Sequence, residues 1–272
     1  MKINCELPNA LLEYNNDLNE YDFVLFHLYK SNSLYRSYYK TQRILHPDRL
    51  MIFDNSAYEF YIKGENLNLK EFSEAIDDLK PDYYILPDKL MDSEYTINEV
   101  KNFLEFHKPL NNKSKPMGVL QGDSPSSLLS CIPIYKELSI EAIAIPFHLK
   151  FYIEHISNQC DIYNDFEENF EILTLDHKYA IGRVQFLRNY GELLKDFKHI
   201  HILGSHCPME KIYYNDFQTM DTGYPVKCGV VGYKLFEEPS KPNIIIDDFM
   251  DEEFSTCTKD LIISNVETFR LL

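Results

Sequence analysis

The chain has 272 residues, enough to bury a full core in one α/β barrel or in two smaller domains. Its formal net charge of −16 opposes a polyanionic partner unless the cations are gathered in one place, while 44% hydrophobic and 26% charged residues are ordinary for a globular protein. The six Cys (5, 131, 160, 207, 228 and 257) form no CxxC or CxC pair, which disfavours structural zinc.

The N-terminal run MKINCELPNALLEYNND has no apolar segment of signal-peptide type. No stretch approaches the roughly 18 apolar residues of a membrane span. The expectation is a cytoplasmic protein with free thiols and no membrane partner. Nothing in the sequence sets an oligomeric state.

In chain order, DFVLFHLY (22–29) reads as a buried strand. A second strand over 50–54 precedes a helix over 69–79, where Phe72, Ala75, Ile76 and Leu79 recur at helical spacing. A strand over 83–87 leads to a helix over 96–107, and one over 117–121 leads to a helix over 126–137. EAIAIPF (141–147) opens a longer acidic segment, 150–175. A helix over 179–197, a strand over 199–204 and a short strand ending at Asp221 follow.

Strands recurring about every 25–35 residues with helices between them indicate βα units and a parallel sheet. No GxGxxG turn follows the first strand and no GxxxxGK[ST] loop is present. The spacing therefore predicts a single-domain (β/α)8 barrel of the TIM type over 1–272.

Acids and amides stand where the apolar runs stop: Asp54 in FDNSAYE, Asp88 in ILPDKL, Gln121 in GVLQGD and Asp221 in MDTGYPV. Turn formation or capping explains any one of them alone. In a barrel, active sites lie at the carboxyl ends of the strands, so their repetition points to an enzyme. One ionised carboxylate can attack an anomeric carbon, a second can handle the leaving group's proton, and an amide can read the edge of a purine.

Taken in order, FDNSAYE, ILPDKL, GVLQGD, AIAIPF, HILGSH and MDTGYPV resemble the strand-end signatures of the tRNA-guanine transglycosylase superfamily. The resemblance runs from about residue 50 to residue 230. FDNSAYE departs from the family segment in carrying Ser56, Ala57 and Glu59 where the family has glycines and Gln. The tRNA enzymes also carry a C-terminal zinc module with CxC and CxxC pairs, and nothing equivalent follows Cys228. The shorter form without that module is similar to the phage and bacterial branch that inserts 7-deazaguanine bases into DNA.

The resemblance implies a base exchange on DNA, with tRNA as the alternative polymer and with guanine and a 7-deazaguanine as the exchanged bases. It needs no cofactor. Asp221 would be the nucleophile and Asp54 the general acid/base. Asp88 and Gln121 would read the base, with Asn55 and Ser56 beside them and Gly122 and Gly204 giving it room. Tyr58 or Phe147 would stack on the base, or else belong to the core. A non-catalytic nucleic-acid-binding partner subunit and an unrelated barrel hydrolase are the competing expectations.

Two cationic runs could track phosphates against the net charge. The first holds Lys30, Arg36, Lys40, Arg43 and Arg49 among tyrosines, and the second Lys178, Arg183, Arg188, Lys195 and Lys198. A solvated helix face is the plainer alternative for both. His148, His201 and His206 have no Cys or carboxylate at ligand spacing along the chain, so no metal is expected there.

Overall fold

The structure is a computed structural model in which residues 1–107, 113–157, 159–237 and 242–272 are described. Strand β1 (Lys2–Cys5) is followed by a short helix α1 (Asn15–Leu18) and by β2 (Asp22–Leu25). Helices α2 (Phe26–Ser31) and α3 (Ser33–Leu45) lead to β3 (Met51–Asp54), and α4 (Ala57–Lys63) and α5 (Leu69–Leu79) to β4 (Tyr83–Ile85). Helix α6 (Ser93–Phe106) precedes β5 (Lys115–Val119), and α7 (Pro125–Leu129) and α8 (Cys131–Glu137) precede β6 (Ala142–Pro146). Helices α9 (Lys150–Glu154), α10 (Asp161–Asn169) and α11 (Leu175–Tyr190) come before β7 (His199–Leu203). Strand β8 (Thr219–Thr222), α12 (Tyr224–Val230) and α13 (Thr256–Leu271) complete the chain.

The eight strands are parallel and lie in the order β1-β8-β7-β6-β5-β4-β3-β2. This is the (β/α)8 class expected from the alternation of strands and helices. Strands β2, β3, β6 and β8 are buried along their whole length, as parallel strands with helices on their outer face must be.

The chain divides into two compact units. One gathers Met1–Glu20, Phe147–Lys195 and His201–Leu272, and the other Tyr21–Pro146 and Asp196–Ile200. In the second unit, four phenylalanines form one core cluster. The Phe72 ring lies 5.0 Å from Phe26, 5.5 Å from Phe53 and 5.7 Å from Phe103. Each such side chain contributes roughly 1.5–3 kcal/mol on burial. Helix α5 buries Phe72, Ala75, Ile76 and Leu79, as its spacing predicts, and Asn68 caps it by accepting from the Lys70 and Glu71 N–H groups.

Several boundaries differ from the sequence reading. The run 22–29 splits after Leu25, where the His27 N–H donates to Ser56 Oγ and helix α2 takes over. The helix read over 126–137 is two helices, because Pro133 has no N–H to donate to the Leu129 carbonyl one turn earlier. The helix read from 179 starts at Leu175. Thr174 and His177 form a reciprocal capping box that fixes its first turn.

Strand β1 was not anticipated. It pairs with β8 so that Asn4 stands beside Asp221. Among the described residues no helix is long and apolar enough to cross a membrane. All six cysteines are free, and four of them are buried.

Candidate active-site residues

Asp54 is the last residue of β3 and is buried. Its Oδ2 accepts from the Ser56 N–H at 2.7 Å, an Asx turn that lets the chain reverse after the strand. Ser56 is itself buried in the left-handed region at φ 59°, and its Oγ contacts His27 Nδ1 at 2.9 Å. The turn-forming alternative for Asp54 is thus realised, and it holds the carboxyl in one orientation.

Asn55 links this turn to the next strand end. Its Nδ2 donates to the Leu86 carbonyl at 2.6 Å and to Asp88 Oδ1 at 2.8 Å, while its Oδ1 accepts from the Ala57 N–H. Gln121 Nε2 donates to Asp88 Oδ2 at 2.7 Å, and Gln121 Oε1 accepts from the Met91 N–H at 2.9 Å. Both oxygens of Asp88 are therefore held by side-chain amides from two neighbouring strand ends. Burial pushes the Asp88 carboxyl above its ordinary value, although both amides favour the charged form. Asn55, Asp88 and Gln121, read separately from three sequence segments, form one hydrogen-bonded group.

In the other unit, Asp221 lies on β8 and is 3% exposed. Its Oδ1 is 2.9 Å from His201 Nε2 and accepts from the Gly204 N–H at 2.8 Å. The neutral imidazole tautomer that donates its Nε2–H to Asp221 leaves Nδ1 to accept from the Thr219 hydroxyl at 2.9 Å. Oδ2 takes part in no hydrogen bond among the described residues. One oxygen is fixed and the other is left with its lone pairs.

Gly204 holds φ +65°, a conformation that costs a residue with a Cβ about 1 kcal/mol or more. That backbone aims its N–H at Asp221. At Gly122 a Cβ would lie 2.4 Å from the Leu128 nitrogen, so the close approach of α7 leaves no room for a side chain there.

Arg183 was read as a phosphate contact, and its position corrects this. It is completely buried on α11 and donates to the Leu203 carbonyl at 3.1 Å, the Gly204 carbonyl at 2.8 Å and Glu210 Oε1 at 2.7 Å. Its guanidinium also lies 4.7 Å from the Phe147 ring centroid, and Phe147 is a core residue 3% exposed. Arg183 therefore fixes the Leu203–Gly204 backbone that presents the N–H to Asp221. Tyr58, by contrast, is exposed.

Several of the other cations have acidic neighbours. Lys40 pairs with Asp78, Arg43 with Asp82 and Arg188 with Asp161, each at the surface or partly so. Arg36 lines an open groove with Glu71, Glu74 and Asp78. Exposed pairs of this kind are worth about 0–1 kcal/mol, so a phosphate can compete for their cations.

His201 was not among the expected catalytic residues. Its signal was the alternation HIHIL, which puts His199 and His201 on one side of the strand. The chain spacing that set His148 and His206 aside also fails in space, where Asp176 joins them within 4.8 Å. No known family model and no curated protein matches the sequence.

Proposed function

We propose that the protein is a base-exchange glycosyltransferase that replaces guanine in DNA with a 7-deazaguanine derivative through a covalent aspartyl-glycosyl intermediate. The observation that carries this is the Asp221 carboxyl, with Oδ1 held by His201 and Gly204 and Oδ2 free of hydrogen bonds among the described residues. A nucleophilic carboxylate needs one oxygen oriented and one available.

In this scheme Asp221 Oδ2 attacks C1′ of the target deoxyguanosine. The C1′–oxygen bond forms as the bond from C1′ to the guanine nitrogen breaks. Asp54 gives its proton to the departing guanine and takes one from the incoming base, which then displaces Asp221. The Asn55–Asp88–Gln121 group is the base reader. Its amides and carboxyl supply both donors and acceptors, as a guanine-like edge requires. The strand-end resemblance to the transglycosylase superfamily supports the same assignment, with DNA taken as the polymer and tRNA as the alternative.

The test is incubation with radiolabelled guanine and either duplex DNA or tRNA. Label entering DNA is expected. Label confined to tRNA moves the activity to that polymer, and label in neither contradicts the exchange reaction.

A further inference from the structure

Two histidines and a carboxylate with no role in the base exchange lie close together. His148 follows β6, His206 follows β7, and Asp176 lies in the first turn of α11. Each offers one ligand atom, and the three atoms all lie within 4.8 Å of one another. His206 Nδ1 is 3.7 Å from Asp176 Oδ1, beyond hydrogen-bonding distance. Tetrahedral zinc, with bonds of about 2.0–2.2 Å, spaces its donors by roughly 3.3–3.6 Å. The separations in the structure are within about 1.5 Å of that spacing.

The surroundings are built to hold this arrangement. The His148 and His206 rings are 4.8 Å apart, Phe147 lies 4.7 Å from His206, and Tyr179 lies 5.3 Å from His148. His206 and Asp176 are only 12% and 19% exposed, so an ion would be partly withdrawn from water. Asp176 is carried by the same helix as Arg183, which is paired with Glu210 beyond His206. Ser205, next to His206, donates its hydroxyl to Glu210 Oε1 at 2.6 Å, and its carbonyl accepts from the Thr222 hydroxyl at 2.6 Å. Buried polar bonds therefore fix the backbone beside His206, as outer-shell contacts do in metal sites.

We propose that His148, Asp176 and His206 bind one first-row divalent cation of borderline softness, such as zinc. Two imidazoles and one carboxylate are the donor set of open metal sites, which keep at least one coordination position for water or another oxygen ligand. The site is independent of the base-exchange assignment, because it uses none of the residues given roles there.

The experiment is zinc titration by calorimetry on the full chain after chelator treatment. One ion per chain is expected. Asp176→Asn and His206→Ala should each weaken binding at least about 10-fold. His155→Ala, at an exposed histidine outside the cluster, should leave binding unchanged. Far-UV circular dichroism checks that each variant is folded, and Asp176→Asn, which preserves side-chain volume, guards against failure of the alanine variant. Absence of binding to the wild-type chain overturns the proposal. So does an ion that remains equally tight in the Asp176→Asn/His206→Ala double variant.

Discussion

Asp221 combines burial with an asymmetric set of partners, and that asymmetry has direct consequences. Asp221→Asn keeps the volume and loses the nucleophile, so base exchange should fall by at least about 10³-fold, measured as guanine incorporation. His201→Phe removes one hydrogen bond each from the buried Thr219 hydroxyl and from Asp221 Oδ1. It should cost about 1–3 kcal/mol in urea unfolding and also reduce exchange. Residual full activity in His201→Phe would remove His201 from the positioning role.

Asp88 carries a pH prediction. Its folded pKa lies above the ordinary 3.8 because burial outweighs its two amide donors. A raised pKa means that the folded chain binds this proton more tightly than the unfolded chain does. The resulting stability is fully present below the unfolded value and is lost as pH rises through the folded one. Carboxyl-carbon NMR should place the Asp88 midpoint above 3.8, and a midpoint at or below it contradicts the assignment. None of these partnerships was readable residue by residue. Asp54, Asp88, Gln121 and Asp221 stood out because each ends an apolar run, but the hydrogen bonds of Asp88, Gln121 and Asp221 join segments 17 to 33 residues apart.

At the scale of elements, α11 shows why charge alone misled. Helical spacing shows that Arg183 and Arg188 are on one helix but does not say which faces the core. Arg188 stays at the surface with Asp161, whereas Arg183 turns inward to Glu210, 27 residues away. Breaking that buried pair with Arg183→Met should cost about 3–5 kcal/mol, because the buried Glu210 loses its cationic partner. Adding Glu210→Leu should recover much of the loss, and a double variant as unstable as the single one would contradict this account. The same pair braces Gly204, so Arg183→Met should lower exchange activity even where the chain remains folded. Apolar spacing marked α5 and α6, whereas α10 and α13 were not read as helices at all. Elsewhere the differences were local, such as Pro133 dividing α7 from α8 and the Thr174 capping box moving the start of α11.

For the molecule as a whole, the (β/α)8 class was legible because short buried strands alternate with helices throughout. Strand β1 escaped notice because Lys2–Cys5 is only four residues long and carries a lysine and an asparagine. Its place is set by pairing with β8 at the far end of the sequence, which no local pattern reports. The net charge of −16 was an obstacle to a nucleic-acid substrate in the sequence, and the surface cations paired with acids do not remove it. Association with DNA should accordingly be weak at physiological salt and tighten as salt is lowered, with a shallow dependence set by few phosphate contacts. A steep dependence would require a cationic face that these pairs do not provide.

The central claim is that Asp221 becomes glycosylated. The direct measurement is denaturing mass spectrometry of the protein incubated with guanine-containing DNA in the absence of an incoming base. The account predicts a nucleic-acid adduct on the peptide containing Asp221 in the wild-type chain and none in Asp221→Asn. An adduct that persists in Asp221→Asn, or that maps to another residue, would contradict it.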